Sequence, residues 1–142
     1  MSQFTEQVLE AYELAKEARG KAHCPYSRFQ VGAAIKFKGN DNIYRGCNVE
    51  NASYGATICA ERTALVSGIA DQGKQIVEFV VVVTDTSPAT QPCALCLQVL
   101  AEFSEPQTPI YLANKKLIES ETSFGKLLPK LVSDSINFLF AK

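Results

Sequence analysis

Ile76-Val77-Glu78-Phe79-Val80-Val81-Val82-Val83 is β-branched and apolar almost throughout. A run of this kind suits a central strand covered on both faces. The segments around it supply the covering layers. Upstream, residues 29–37 and 43–49 predict two strands joined at Gly39-Asn40-Asp41-Asn42, a hairpin. Residues 57–69 predict a helix, with Thr57 as its candidate cap. Residues 3–19 place Val8, Leu9, Tyr12, Ala15 and Ala18 close to helical spacing, with Gly20 as the stop. Downstream, Pro92 fits the first turn of a helix reaching about Phe103, and Pro109-Ile110-Tyr111-Leu112 reads as a short strand. The tail after Phe124 reads as helix interrupted at Pro129. The order α-β-β-α-β-α-β-α predicts an α/β fold, a mixed sheet with helices on both faces.

The chain has 142 residues, enough for one core and too few for two ordinary domains, so residues 1–142 are read as a single domain. Its 46% hydrophobic and 20% charged content is that of a globular protein. Fourteen basic and fifteen acidic residues leave a formal charge of -1. Nucleic-acid binding usually leaves a basic footprint, so a small neutral or modestly charged ligand is expected instead. No apolar stretch approaches the ~18 residues of a membrane helix, and the N-terminus lacks the basic start and apolar run of a signal peptide. The expected location is the cytoplasm, where thiols stay reduced. Five cysteines there point to metal binding or catalysis before disulfides.

Two segments carry the chemistry, Cys59-Ala60-Glu61-Arg62 and Pro92-Cys93-Ala94-Leu95-Cys96. Each opens a predicted helix, whose free N–H groups favour thiolate, the form that binds zinc. Cys93 and Cys96 are spaced to emerge on one side of a helix. Cys59 joins them if the two helices follow neighbouring parallel strands. Three protein ligands leave a fourth position for water, whose pKa zinc lowers to roughly neutrality. Glu61 stands beside the metal, free not to ligate it and able to carry protons. Arg62 can donate to the sulfurs and offset the charge of the thiolates.

Plainer readings stand beside these. The zinc could be structural and closed by Cys24, Cys47 or His23, giving a zinc-stabilised binding domain without turnover. Glu61 alone would be an ordinary first-turn charge, and Arg62 surface salt-bridge material. Asn48 and Glu50 would be a turn cap or solvated strand end, and Phe29 and Tyr54 core.

The segments resemble the small homotetrameric zinc-dependent cytidine deaminases, in which a ligand-x-Glu precedes Pro-Cys-x-x-Cys. The resemblance runs from Pro25 to about Pro129. It includes Pro25-Tyr26-Ser27-Arg28-Phe29-Gln30-Val31-Gly32-Ala33-Ala34 and Gly46-Cys47-Asn48-Val49-Glu50-Asn51-Ala52-Ser53-Tyr54. It implies a three-layer α/β/α fold on a five-stranded mixed sheet. It implies Zn2+ on Cys59, Cys93 and Cys96, and hydrolysis of cytidine or deoxycytidine to the uridine product plus ammonia, with Glu61 as proton shuttle. It further implies that Asn48 and Glu50 hold the sugar hydroxyls, that Phe29 lines the pocket, and that the Ala60 backbone holds the pyrimidine. Tyr54 would reach a neighbouring subunit's site in a homotetramer, and Gln98 would belong to the helix supporting the metal.

The chain departs from the family pattern in two places. The family's Pro-Cys-Gly-x-Cys-Arg-Gln becomes a segment with Ala94, Leu95 and Leu97, which removes a second arginine. The phenylalanine expected to stack on the base is Val132, with aromatics only at Phe138 and Phe140. Both departures keep open a deaminase for another aminopyrimidine nucleoside or nucleoside antibiotic.

Overall fold

The structure is a computed structural model that describes residues 3–129. Its sheet is built around β3 (Val77–Val83), which pairs with β1 (Gly32–Phe37) antiparallel on one side and β4 (Pro109–Ala113) parallel on the other. Outside these lie β2 (Ile43–Cys47) beside β1 and β5 (Ile118–Ser123) beside β4, giving the order β2-β1-β3-β4-β5. The valine run is therefore central, as its composition predicts.

Alternation along the strands feeds two separate cores. Val80 and Val82 of β3 join Ala33, Ile35 and Phe37 of β1 on one face. That face is covered by α2 (Ala60–Gln72), α3 (Ala94–Ala101) and the short α4 (Phe124–Leu127). Phe79, Val81 and Val83 join Ala34 on the other face, under α1 (Glu6–Arg19). Helices on both faces of a five-stranded mixed sheet make the α/β/α sandwich expected from the resemblance. Among the described residues no helix is long and apolar enough to cross a membrane.

Several boundaries differ from the sequence reading, each for a physical reason. β1 begins at Gly32, not at Phe29, because the Asn48 side chain takes the preceding backbone. Its Oδ1 accepts from Val31 N–H at 2.9 Å and its Nδ2 donates to Phe29 O at 2.7 Å. β2 ends at Cys47, and Val49 makes only isolated bridges to His23 and Ile58. The cap of α2 is Cys59, not Thr57, whose hydroxyl accepts from Asn51 N–H at 3.2 Å. Pro92 precedes the α3 cap, Cys93, rather than standing inside the first turn. β5 carries no strand signal in the sequence, because Ile118-Glu119-Ser120-Glu121-Thr122-Ser123 lacks an apolar alternation. It is an edge strand held by backbone pairing to β4. The tail helix reaches Leu127, and Val132, Phe138 and Phe140 lie outside the described residues.

Candidate active site and metal centre

The end of β2, the start of β1, the end of β3 and the N-termini of α2 and α3 converge at one end of the sheet. Ligand sites in α/β folds collect at such strand ends. α2 and α3 do not follow neighbouring parallel strands, as the sequence reading supposed. β2 and β3 run the same way but with β1 between them. The two helix starts still meet, because both helices lie on the same face.

Cys59 and Cys93 are the N-cap residues of α2 and α3, and neither side chain makes a capping bond. N-cap side chains ordinarily turn back to the helix N–H groups; these thiols instead meet each other. The Cys59 and Cys93 sulfurs are 3.8 Å apart and those of Cys93 and Cys96 are 3.5 Å apart, and all three lie within 4.8 Å of one another. Tetrahedral zinc with bonds of about 2.3 Å puts its sulfurs roughly 3.8 Å apart. The three thiols fit zinc.

Their electrostatics fit as well. The Cys59 thiol is drawn down to about 5, first by a hydrogen bond from Cys96 and then by Arg62 and Cys93, against the opposing effect of burial. Cys96 is pushed up by the same contact with Cys59 and by burial. Arg62 Nη2 donates to Cys59 Sγ at 3.3 Å and to Thr57 O at 3.4 Å, and its bond to Cys59 raises its own pKa, holding it charged. Leu97 is 6% exposed and packs into the α2/α3 core. The missing arginine is thus replaced by core packing.

Glu61 is 4% exposed in the first turn of α2. Burial pushes its carboxyl up to about 7, with the negative Cys59 adding to the shift. A carboxyl poised near neutrality can both take and give a proton.

A cavity of about 250 Å3 opens over this cluster. Phe29, Asn48, Glu50, Cys59, Ala60, Glu61 and Cys93 all line it. Most residues singled out in the sequence therefore meet at one place. Glu50 accepts from the Tyr26 and Ser27 backbone N–H groups at 3.0 and 3.1 Å and from the Ser27 hydroxyl, which holds its pKa below the usual carboxylate range. Asn48 and Glu50 thus also shape the loop carrying Phe29. Tyr54 is set apart. It is 76% exposed and edge-on to Tyr26, with ring centroids 5.9 Å apart, in an adjoining cavity that shares Ser27, Glu50 and Thr57. Gln98 is half-buried on α3. The sequence reading did not foresee Thr84, Thr90 and Gln91, which line the cavity from the segment before Cys93. Only their nearness in sequence to Cys93 hinted at it.

Three thiols set for zinc at two helix starts, with a buried carboxyl beside them in one cavity, are the equipment of a zinc-dependent hydrolytic deaminase. The comparisons with known proteins agree. Residues 5–112 match the family model for the cytidine and deoxycytidylate deaminase zinc-binding region, and the chain belongs to that family. It is 45% identical over 115 residues to a cytidine deaminase of Sporosarcina psychrophila, covering 81% of this chain and 83% of that protein. It is 46% identical over 115 residues to the cytidine deaminase of Halalkalibacterium halodurans, covering 81% and 86%. The fold superposes on the crystal structure of cytidine deaminase from Burkholderia pseudomallei with a TM-score of 0.81 and 41% identity, over 90% of this chain and 99% of that one.

Proposed function

We propose that the chain deaminates cytidine and deoxycytidine to uridine and deoxyuridine, releasing ammonia, as a step of pyrimidine salvage. The observation that carries this reading is the buried Glu61 carboxyl beside the three-thiol cluster in the same cavity. The cavity, about 250 Å3, opens directly over Cys59, Glu61 and Cys93 and is walled by the polar Asn48 and Glu50. Relatives at 45% and 46% identity named as cytidine deaminases support the choice of base.

Cys59, Cys93 and Cys96 hold the zinc, which when bound supplies Lewis-acid activation of water for attack at C4. Glu61 takes the proton of the attacking water, gives it to N3, and relays a proton to the departing amine. Ala60, the first residue of α2, offers a helix N–H with no intrahelical partner to the pyrimidine. Phe29 packs along the base. The second N–H of Asn48 and the free lone pairs of Glu50 receive the sugar hydroxyls. Arg62 keeps the thiolates compensated, and Gln98 supports the metal-bearing helix.

The active form is a homotetramer of single-domain chains in the cytoplasm, with the exposed Tyr54 inserted against a neighbouring site. The test is ammonia release from a panel of cytosine and adenine nucleosides, with sedimentation of the active species. Turnover of cytidine and deoxycytidine by a tetramer is expected. Turnover confined to another aminopyrimidine, or none with zinc bound, overturns the substrate reading, and a fully active monomer overturns the assembly.

A further inference from the structure

Thr84 follows directly on β3 and is 1% exposed, yet it lines the cavity together with Thr90 and Gln91. Its Oγ1 lies 3.0 Å from Thr86 Oγ1, which in turn lies 2.9 Å from Thr90 Oγ1. The Thr90 backbone N–H donates to Thr84 Oγ1 at 3.4 Å, fixing the two ends of the chain of hydroxyls relative to each other. The chain begins and ends in the cavity wall, and its middle member stands outside the lining.

Three hydroxyls carry three protons, and two O···O contacts consume two of them. In two of the three arrangements the spare proton sits on Thr84 or Thr90. In the third it sits on Thr86, and both wall oxygens are left as acceptors. The wall can thus meet either a donor or an acceptor on a ligand.

The two sources of the site decide which part of the base faces this wall. α2 supplies Cys59 and Glu61, and the segment running into α3 supplies Thr90, Gln91 and Cys93. In the proposed reaction Glu61 protonates N3, which sets N3 toward α2. C5 is the ring atom on the other side of C4, so this orientation turns it toward the segment 84–91 that also lines the cavity.

We propose that Thr84 and Thr90 are specificity-determining residues at C5 of the pyrimidine, favouring a hydrogen-bonding substituent there over an apolar one of equal size. The proposal rests on the reading of the chain as a deaminase of cytosine nucleosides. A site built to hydrogen-bond a hydroxyl rejects the isostere that lacks it, whereas an apolar wall discriminates little between the two.

The test pairs 5-hydroxymethyldeoxycytidine with 5-ethyldeoxycytidine, which differ only in a hydroxyl against a methyl. The wild type is expected to favour the hydroxymethyl substrate in kcat/KM by about tenfold, the worth of one buried hydrogen bond. Thr84→Val and Thr90→Val, nearly isosteric, are each expected to shrink the ratio, and the double variant to bring it near unity. Thr86→Val breaks the chain but leaves both wall hydroxyls, and is expected to keep the preference. A general loss of packing would lower both substrates together and leave the ratio unmoved. An active wild type with the same ratio in Thr84→Val, Thr90→Val and the double variant overturns the proposal alone. A wild type that releases no ammonia from cytidine overturns the functional reading and this proposal with it.

Discussion

Arg62 donates from Nη2 to Cys59 Sγ at 3.3 Å, while its Nε is buried without a hydrogen-bond partner among the described residues. A guanidinium held in this way serves the thiolate before it serves its own solvation. Arg62→Ala is expected to speed zinc loss to a chelator about tenfold, the usual cost of removing a group that orients a ligand. The sequence alone suggested that an arginine at position 97 would share this load. Leu97 lies in the core instead, so Leu97→Arg is expected to cost about 3 kcal/mol of stability through an uncompensated buried charge, without slowing zinc loss in the Arg62→Ala background. Chelator competition and urea unfolding of the single and double variants measure both effects.

Among the described residues Glu61 is the one carboxylate buried in the cavity beside the thiols. Glu61→Gln keeps the shape of the side chain and removes its ability to carry protons. Turnover of cytidine is expected to fall at least ~10²-fold, with one zinc per chain retained and the unfolding transition unchanged or sharpened by loss of a buried acid. Metal analysis and single-turnover assays on the same preparation check this. A variant keeping a tenth of the activity would place the proton shuttle elsewhere.

How far the sequence alone reached depended on whether a feature was local. The valine run of β3 announces a doubly covered strand, and the cysteine groups announce helix starts, since both signals lie within a few residues. β5 escaped because only Ile118 of its residues is buried, so it carries no periodic signal and forms through the backbone of β4. Asn48 was legible as a polar residue at a strand end, but its grip on Phe29 and Val31 was not. Thr84 and Thr90 belong to no motif in the sequence, and only the convergence of β3 with two helix N-termini turns them into a cavity wall. The convergence was expected from neighbouring parallel strands, whereas β2 and β3 run the same way without being neighbours. Sequence spacing brings Cys59 and Cys93 to helix starts, and it does not reveal β1 lying between β2 and β3.

Glu119 ties two loops together. It accepts from Ser87 Oγ at 2.6 Å, Ala89 N–H at 2.7 Å and Asn114 Nδ2 at 2.8 Å. These bonds, Ser87 foremost, hold its pKa below the usual carboxylate value. On acidification the proton therefore binds the unfolded chain first. The contribution of Glu119 is complete above about pH 4.3, the unfolded value, and is lost as pH falls through the lower folded one. Glu119→Gln is expected to be less stable than wild type at neutral pH and to approach it below pH 4. Urea midpoints measured from pH 7 to pH 3 give the comparison, and a gap that persists at pH 3 would mean the amide disturbs packing instead.

Gly46 sets how closely β2 approaches the helix that begins with Cys59 as its cap. A Cβ there would lie 2.5 Å from both Ala60 O and Ala64 N and 2.8 Å from Thr63 Cβ. Two of these are backbone atoms of the first turns of α2, which cannot swing aside as a side chain can. Gly46→Ala must therefore push the helix start away from the sheet, at about 2 kcal/mol, and it moves Cys59 and Glu61 with it. Thiols set for tetrahedral zinc tolerate little displacement, so zinc affinity and kcat are expected to fall along with stability. Gly39→Ala provides the contrast. That residue has φ +75° and nothing within 4 Å of a would-be Cβ, so alanine there costs about 1 kcal/mol of backbone strain at the hairpin turn, far from the site. Unfolding, zinc content and cytidine turnover of the two variants are measured side by side. The expected pattern is loss of all three in Gly46→Ala and loss of stability alone in Gly39→Ala. Equal zinc retention in both would show that the start of α2 absorbs the shift without moving its thiol.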